Sequence, residues 1–448
     1  MNISKKMLFS ATALSLGFLT ACGGSTGNTG ATGGGATTGG ATADGSVTIE
    51  FWAAPNPTQE VYWRNIAQRF MEETDGIIVN VSQMQETPSS EAGILTAIAG
   101  NAAPTMSENI SRSFAAQLAD SEAIIPLNGL SGWDTIVTNR HMTEVMNTWE
   151  FEGGRQYVLP VSSNAMLFAW RIDILRELGF DEVPQTYAEI MAVAEQLNIV
   201  HPDMYIWAKG DLARPDGWMR WFDFFMLYNA ASNGNPFIDG DAFVADETAG
   251  IATLQFMQDL LEMDALLARD VTDPFERGQS IFADLGPWSF SMWGEMYPEL
   301  QYGENFLLSR PPVPTADLIG SQKTFADTKG IVIYAQASEE QVEAAMTFLN
   351  WVYENEENDL EWLNITNLPP ARDDLSTNPV FQGFFEQNPH MVPYAEAIPY
   401  AIPAINNANY NNLQVIISEQ AVNPVVRGEI DAVTAWHNMA EALIEALR

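Results

Sequence analysis

Leu159-Pro160-Val161-Ser162-Ser163-Asn164-Ala165-Met166-Leu167-Phe168-Ala169-Trp170-Arg171-Ile172-Asp173-Ile174-Leu175 is the stretch whose reading decides the fold. Met166 to Trp170 is a short apolar and aromatic run without helical spacing, the pattern of a buried strand. The Pro-Val-Ser-Ser-Asn before it is too polar and Pro-restrained for a core and reads as a crossing between two lobes. Downstream, Leu175 to Phe180 reads as a helix stopped at Gly179. Thr186 with Glu189 forms a capping box, and Ile190, Val193, Ala194 and Leu197 follow at helical spacing.

Working outward, the length of 448 residues favours two lobes or domains over one. The chain carries 58 acidic residues against only 20 Lys and Arg, a net charge of −38. Such a surface repels nucleic acid and an anionic membrane face, so neither is an expected direct partner. The single cysteine, Cys22, excludes an intramolecular disulfide and a thiolate metal cluster. His141, His201, His390 and His437 lie far apart without ligand spacing, so no metal site is expected.

At the N-terminus, Lys5-Lys6 and the apolar run Met7 to Leu19 end in Leu19-Thr20-Ala21-Cys22, which resembles a bacterial lipobox, with residues 1–21 as signal peptide and Cys22 the lipidated residue. The alternative is an ordinary secretory signal with a chance cysteine. Residues 22–46 are almost wholly Gly, Thr, Ala and Ser and read as a flexible tether. No later stretch has 18 uninterrupted apolar residues.

Val47 to Trp52 alternates as a strand, and Val61, Ile66, Ala67 and Phe70 mark the helix after Thr58. With Ile77 to Val81 as a second strand, a parallel βαβ start follows. Ligands of such sheets sit beyond the carboxyl ends of the strands, which puts Trp52 to Asn56 on a cleft rim. In the second lobe, Trp207 to Asn233 is rich in aromatics. Trp218, Trp221, Phe222 and Phe225 have the spacing of one helix face, most of it core, with at least one ring expected to meet a ligand. Phe275-Glu276-Arg277-Gly278-Gln279-Ser280-Ile281-Phe282-Ala283-Asp284-Leu285-Gly286-Pro287-Trp288 ends a strand in Gly-Pro-Trp. Ser309-Arg310-Pro311-Pro312-Val313-Pro314-Thr315 reads as a stiff extended return. Phe325 to Tyr334 supplies another strand, Ser338 and Gln341 a second capping box, and Asp431 to Leu447 a closing helix that buries Val433, Trp436, Ala440, Leu443 and Leu447.

The block from Leu159 to Ile190 closely resembles the hinge-crossing segment of extracellular solute-binding proteins of ABC sugar importers, the maltose-binding-like branch. The similarity continues through Ile94 to Pro104, through the Phe275 to Trp288 block and through Leu368-Pro369-Pro370-Ala371-Arg372. It implies an α/β fold of two lobes, periplasmic-binding-protein-like and of type II. Each lobe is then a mostly parallel sheet flanked by helices, with the ligand cleft between them. The first lobe would comprise 47–158 and 315–356, the second 159–314 and 366–448, with 357–365 as a crossing segment. It further implies an extracytoplasmic, lipid-anchored monomer that presents a carbohydrate to membrane ABC permease subunits, without catalysis and without a cofactor.

Carried over residue by residue, the resemblance points to Trp52, Asn56, Glu108, Asn109, Arg112, Asn164, Trp218, Trp221, Trp288, Asp327, Arg372 and Tyr410 as ligand-binding positions. Glu108, Asn109 and Arg112 are expected on a loop, with Thr105 where Asp is usual. Trp288 is expected to stack on a sugar, the alternative being core packing. Arg372 either reaches the cleft or braces it. A rival function is a secreted carbohydrate-active enzyme built on a carboxylate pair. No nucleophile elbow, zinc motif or P-loop supports it. A non-sugar ligand such as glycerol phosphate calls for a basic cluster, and Lys and Arg are sparse.

Overall fold

A computed structural model describes residues 45–85, 89–214, 219–405 and 407–448. Cys22 and Trp218 lie outside the described residues. The first lobe opens with strand β1 (Val47–Ala53), helix α1 (Pro57–Glu73) and strand β2 (Ile77–Gln83), and β1 pairs with β2 in parallel. Helix α2 (Ser90–Ala99), strand β3 (Met106–Ser111) and helix α3 (Arg112–Asp120) follow, with β3 parallel to β1. Glu108 and Asn109 therefore stand in a strand and Arg112 on the first turn of a helix, rather than on a loop. Asn56 caps α1, its side chain accepting from Thr58 N, and Pro57 occupies the first turn where a missing N–H costs nothing. The buried face of α1 is Tyr62, Trp63, Ile66, Ala67 and Phe70, while Val61 is 50% exposed. At that end the buried apolar face starts one residue later than the expected Val61, at Tyr62.

The decisive stretch divides into two strands, β4 (Leu159–Ala165) and β5 (Leu167–Trp170). The polar half, expected outside the core, is buried: Ser162 is 4% and Asn164 1% exposed. Its backbone needs are met by the ladder to a later strand, which lets polar side chains lie between the lobes without orphaning the chain. The second lobe continues with β6 (Tyr205–Ala208), a hairpin of β7 (Ile238–Asp239) and β8 (Ala242–Phe243), β9 (Leu266–Leu267), β10 (Ser280–Leu285) and β11 (Leu307–Ser309). The chain then returns through β12 (Thr324–Ile333) and reaches β13 (Ala401–Pro403) late.

Two main sheets result, one ordered β13-β12-β3-β1-β2 with β4 on β12, the other β11-β5-β10-β6-β9. The chain thus leaves the first sheet at Met166, between β4 and β5, and not at residue 159. The segment 357–365 lies in a helix, Glu356–Thr366, whose Trp362 packs on Tyr62 and Trp63 of α1 at 5.1 and 6.0 Å between centroids. Each sheet has its own apolar core, Ile49, Phe51, Trp63 and Phe348 among the first set, Phe168, Trp207, Phe282 and Trp436 among the second.

Both capping boxes are present, Thr186 with Glu189 and Ser338 with Gln341. The aromatic run differs from its helical reading. The helix begins only at Phe224, capped by Asp223, so Trp221 and Phe222 belong to the turn before it. In the closing helix Ala432–Ala446, Trp436 and Leu443 are buried but Val433 is 45% exposed.

Candidate ligand-binding cleft

Three strand ends converge between the lobes. β1 runs out into Ala54, Pro55 and Asn56, β6 into Lys209, and β10 through Gly286-Pro287 into Trp288; all of these except Gly286 and Pro287 line one cavity of about 350 Å³. That is where parallel strands expose backbone and side chains to a ligand. Asn109, Ser162, Asp327 and Lys329 complete the wall from β3, β4 and β12, and Trp221, Phe222, Asp211 and Met219 from the second lobe.

Trp288 is partly buried and packs against the cores of both lobes. Its indole crosses Gly286 so closely that a Cβ there would fall 2.1 Å from the ring, which is why the strand ends in glycine. Phe222 lies 5.8 Å from Trp288 at 42°, and Trp221 stacks on Phe325 at 6.3 Å and 9°. The Lys329 ammonium sits 4.6 Å from the Trp221 ring centroid, a cation–π distance, and pairs with Asp327 at 3.1 Å. Lys209 Nζ donates to Asp284 Oδ2 at 2.9 Å and to the Phe222 carbonyl at 3.3 Å. Burial works against its charge, but Asp284 and Asp223 outweigh that and hold the Lys209 pKa above its ordinary value. Asn56 spends its oxygen on Thr58, so its NH2 is the group left for the cavity.

The expected site residues sort into those the cavity collects and those it does not. Asn56, Asn109, Trp221, Trp288 and Asp327 line it. Asn109 does so with a left-handed backbone, φ 64°, which Asn tolerates better than most residues. Trp52 stays on β1, packed against the first core. Glu108 lies behind the wall, 1% exposed, accepting from Ala54 N, Gln59 Nε2 and Trp63 Nε1 at 3.0, 2.8 and 2.9 Å. Asn164, on β4 opposite Asp327, is buried beneath the crossing, its Oδ1 without a hydrogen-bond partner among the described residues.

Arg112 and Tyr410 line a neighbouring cavity of about 400 Å³ with Phe225, Phe325 and Asn229. A narrow space at Trp221, Phe325 and Asp327 lies next to both cavities. Arg372 is held away from the cleft by Asp359 and Asp374, at 3.0 and 2.8 Å, and is a brace.

The cavity also collects Lys209, Lys329 and Gln59, which the sequence does not single out, and Phe222, one of the aromatics among which at least one ring is expected to meet a ligand. A signal existed for the two lysines: Lys209 directly follows a strand, and Lys329 shares a face with Asp327 two residues earlier. Among the described residues, no group of three His, Cys, Asp or Glu side chains is placed to hold a metal, and no helix is long and apolar enough to cross a membrane.

A model of the family described as bacterial extracellular solute-binding protein matches residues 65–393. Among solved structures, uncharacterized protein lmo0859 of Listeria monocytogenes EGD-e is 52% identical, with a TM-score of 0.80 over 90% of this chain and 100% of that one. A cyclic alpha-maltosyl-1,6-maltose binding protein from Arthrobacter globiformis is 20% identical, with a TM-score of 0.73 over 90% of this chain and 99% of its own. The GacH receptor of Streptomyces glaucescens GLA.O, solved unliganded and with acarbose, is 19% identical with a TM-score of 0.72 over 89% and 98%. The last two share the two-lobe fold with this chain.

Proposed function

The chain belongs to the bacterial extracellular solute-binding protein family, and from that premise we propose that it captures a carbohydrate between its lobes and presents it to the permease of an ABC importer. One observation carries the sugar reading: the aromatic rings Trp288, Phe222 and Trp221 share one cavity with the Lys329–Asp327 pair, Lys209, Asn56 and Asn109. Sugars offer apolar C–H faces ringed by hydroxyls, so flat aromatic platforms edged with charged and amide groups suit them. Neighbours named for maltose-type ligands and acarbose support the same reading. A volume of about 350 Å³ lies at the small end of ligand pockets, and the adjoining 400 Å³ cavity gives room for a ligand longer than one ring.

The test is a thermal-shift screen of mono- and oligosaccharides with calorimetry on the hits. A ligand at 100 times its Kd stabilises by about 2.7 kcal/mol, a readily measured rise in Tm. If no carbohydrate shifts Tm while a non-sugar solute does, the sugar reading fails. The lipid anchor is part of the proposal and rests on Leu19-Thr20-Ala21-Cys22. Cys22→Ser should release the protein from membranes, and continued partitioning after a high-salt wash would refute the anchor.

A further inference from the structure

We propose that Glu108 is a positioning residue that sets, through its own protonation, which end of the Gln59 amide faces the ligand. The carboxylate turns the amide oxygen into the cavity, and the neutral acid turns the NH2 group there. The inference rests on the reading of the cleft as the ligand site.

The geometry makes the two groups a unit. Gln59 stands in the first turn of α1 and lines the cavity, while its Nε2 donates backward to Glu108 Oε1 at 2.8 Å. Glu108 Oε2 already accepts from Ala54 N at 3.0 Å and Trp63 Nε1 at 2.9 Å. An ionised carboxylate accepts only, so Gln59 must donate to it and has its oxygen left for the cavity. A proton arriving at Glu108 goes to Oε1, because Oε2 faces two N–H donors. That Oε1–H and the Gln59 NH2 would then both be donors. A half-turn of the amide restores the bond, with the Gln59 oxygen accepting from Glu108 and the NH2 pointing at the ligand. The cavity wall changes at one point from acceptor to donor.

No cation intervenes. Among the described residues no ion pair includes Glu108. From the helix Glu339–Glu354 the titratable neighbour is Tyr353, a buried phenol whose pKa is raised by burial. From the helix Glu356–Thr366 it is Asp359, held by Arg140 and Arg372. On α1, Glu60 is paired with Arg64 on the outer face. Across the cavity, the Lys329 charge is paired with Asp327. Burial without a counter-charge pushes the Glu108 carboxyl from 4.5 up to about 7, against the pull of its three donors. The acid is therefore neutral below about pH 7 and ionised above it.

Two arms test this. In the ligand-free protein, the Gln59 side-chain amide and Trp63 indole N–H signals should move together in NMR between about pH 5 and about pH 9, with one midpoint near neutrality. Glu108→Gln should leave them still, because its NH2 donates to the Gln59 oxygen and fixes the acid-form arrangement. With maltotriose as probe, wild-type affinity should change about tenfold across that range. The Glu108→Gln variant should hold the wild-type acid-limit affinity at every pH, and Gln59→Met should give a flat profile while the Trp63 signal still titrates. Static Gln59 and Trp63 signals in the wild type, or a Glu108→Gln variant that follows the wild-type pH curve, overturn the proposal. Should Glu108→Gln not fold, Gln59→Met decides: a persisting pH profile overturns it. If maltotriose does not bind at any pH, the sugar reading is what suffers, and the NMR arm still decides the switch.

Discussion

Trp288 gains its place from a residue without a side chain. A methyl on Gly286 would meet the Trp288 ring at 2.1 Å, so either the indole or the strand end must move. Two variants then separate ligand contact from packing. Trp288→Ala should cost about 2 to 4 kcal/mol of sugar binding, because a stacked indole covers a large apolar area on both partners. Since Trp288 is only partly buried, its loss should cost the ligand-free fold less than the about 3 to 5 kcal/mol of a fully buried Trp. Gly286→Ala should reproduce most of the binding defect with Trp288 still present. Calorimetry and urea unfolding on both variants check this: an unchanged Kd with a large stability loss would make Trp288 a core residue.

Arg140 shows how whole elements are locked at the crossing. It is 1% exposed, pairs with Asp359 at 2.9 Å, and donates to the Pro160 and Val161 carbonyls of β4. Arg372 joins the same Asp359 from the turn after the helix Glu356–Thr366. One buried guanidinium thus fastens the crossing strand to that helix, and removing it leaves Asp359 and two carbonyls short of donors. Arg140→Met should cost about 3 to 5 kcal/mol in urea unfolding, the range for breaking a buried pair by deleting one partner. A loss below about 1 kcal/mol would mean that Arg372 alone satisfies the cluster.

This layer was hardly legible in the sequence. Local rules found what local physics decides: the β1–α1–β2 start, both capping boxes, and the Gly-Pro-Trp strand end. They misplaced what only tertiary contact decides. Nothing in the neighbours of Glu108 announces that α1 will fold over it, so it read as a cleft residue and not as the anchor behind the wall. Ser162 and Asn164 read as lying outside the core because the ladder to β12 that accommodates them comes from more than a hundred and fifty residues away. Arg372 reads as either of two roles because only the folded chain shows its guanidinium held between Asp359 of the preceding helix and Asp374.

At the scale of the molecule, a chain of net charge −38 places two of its 20 Lys and Arg residues, Lys209 and Lys329, in the cleft between its lobes. Each is matched there by a carboxylate, Asp284 and Asp327. The lobes are joined by few crossings: β4 passes to β5 at Met166, β11 passes to β12 along the proline-rich return, and the chain passes once more from the helix Glu356–Thr366 in the first core to the closing helix in the second. Trp288 touches both cores. A ligand gripped from both sides would gain contacts if the lobes closed, while only the few crossings would have to change, which is the arrangement that favours hinge motion. Small-angle scattering should therefore give a smaller radius of gyration with sugar than without it. The expected change is on the order of 1 Å against about 22 Å for a compact body of this size. Trp288→Ala at the sugar concentration that saturates the wild type should keep the larger radius, because the differential contact driving closure is gone. Equal wild-type radii with saturation confirmed by calorimetry would mean that binding occurs in a preformed cleft, and the hinge account would fall.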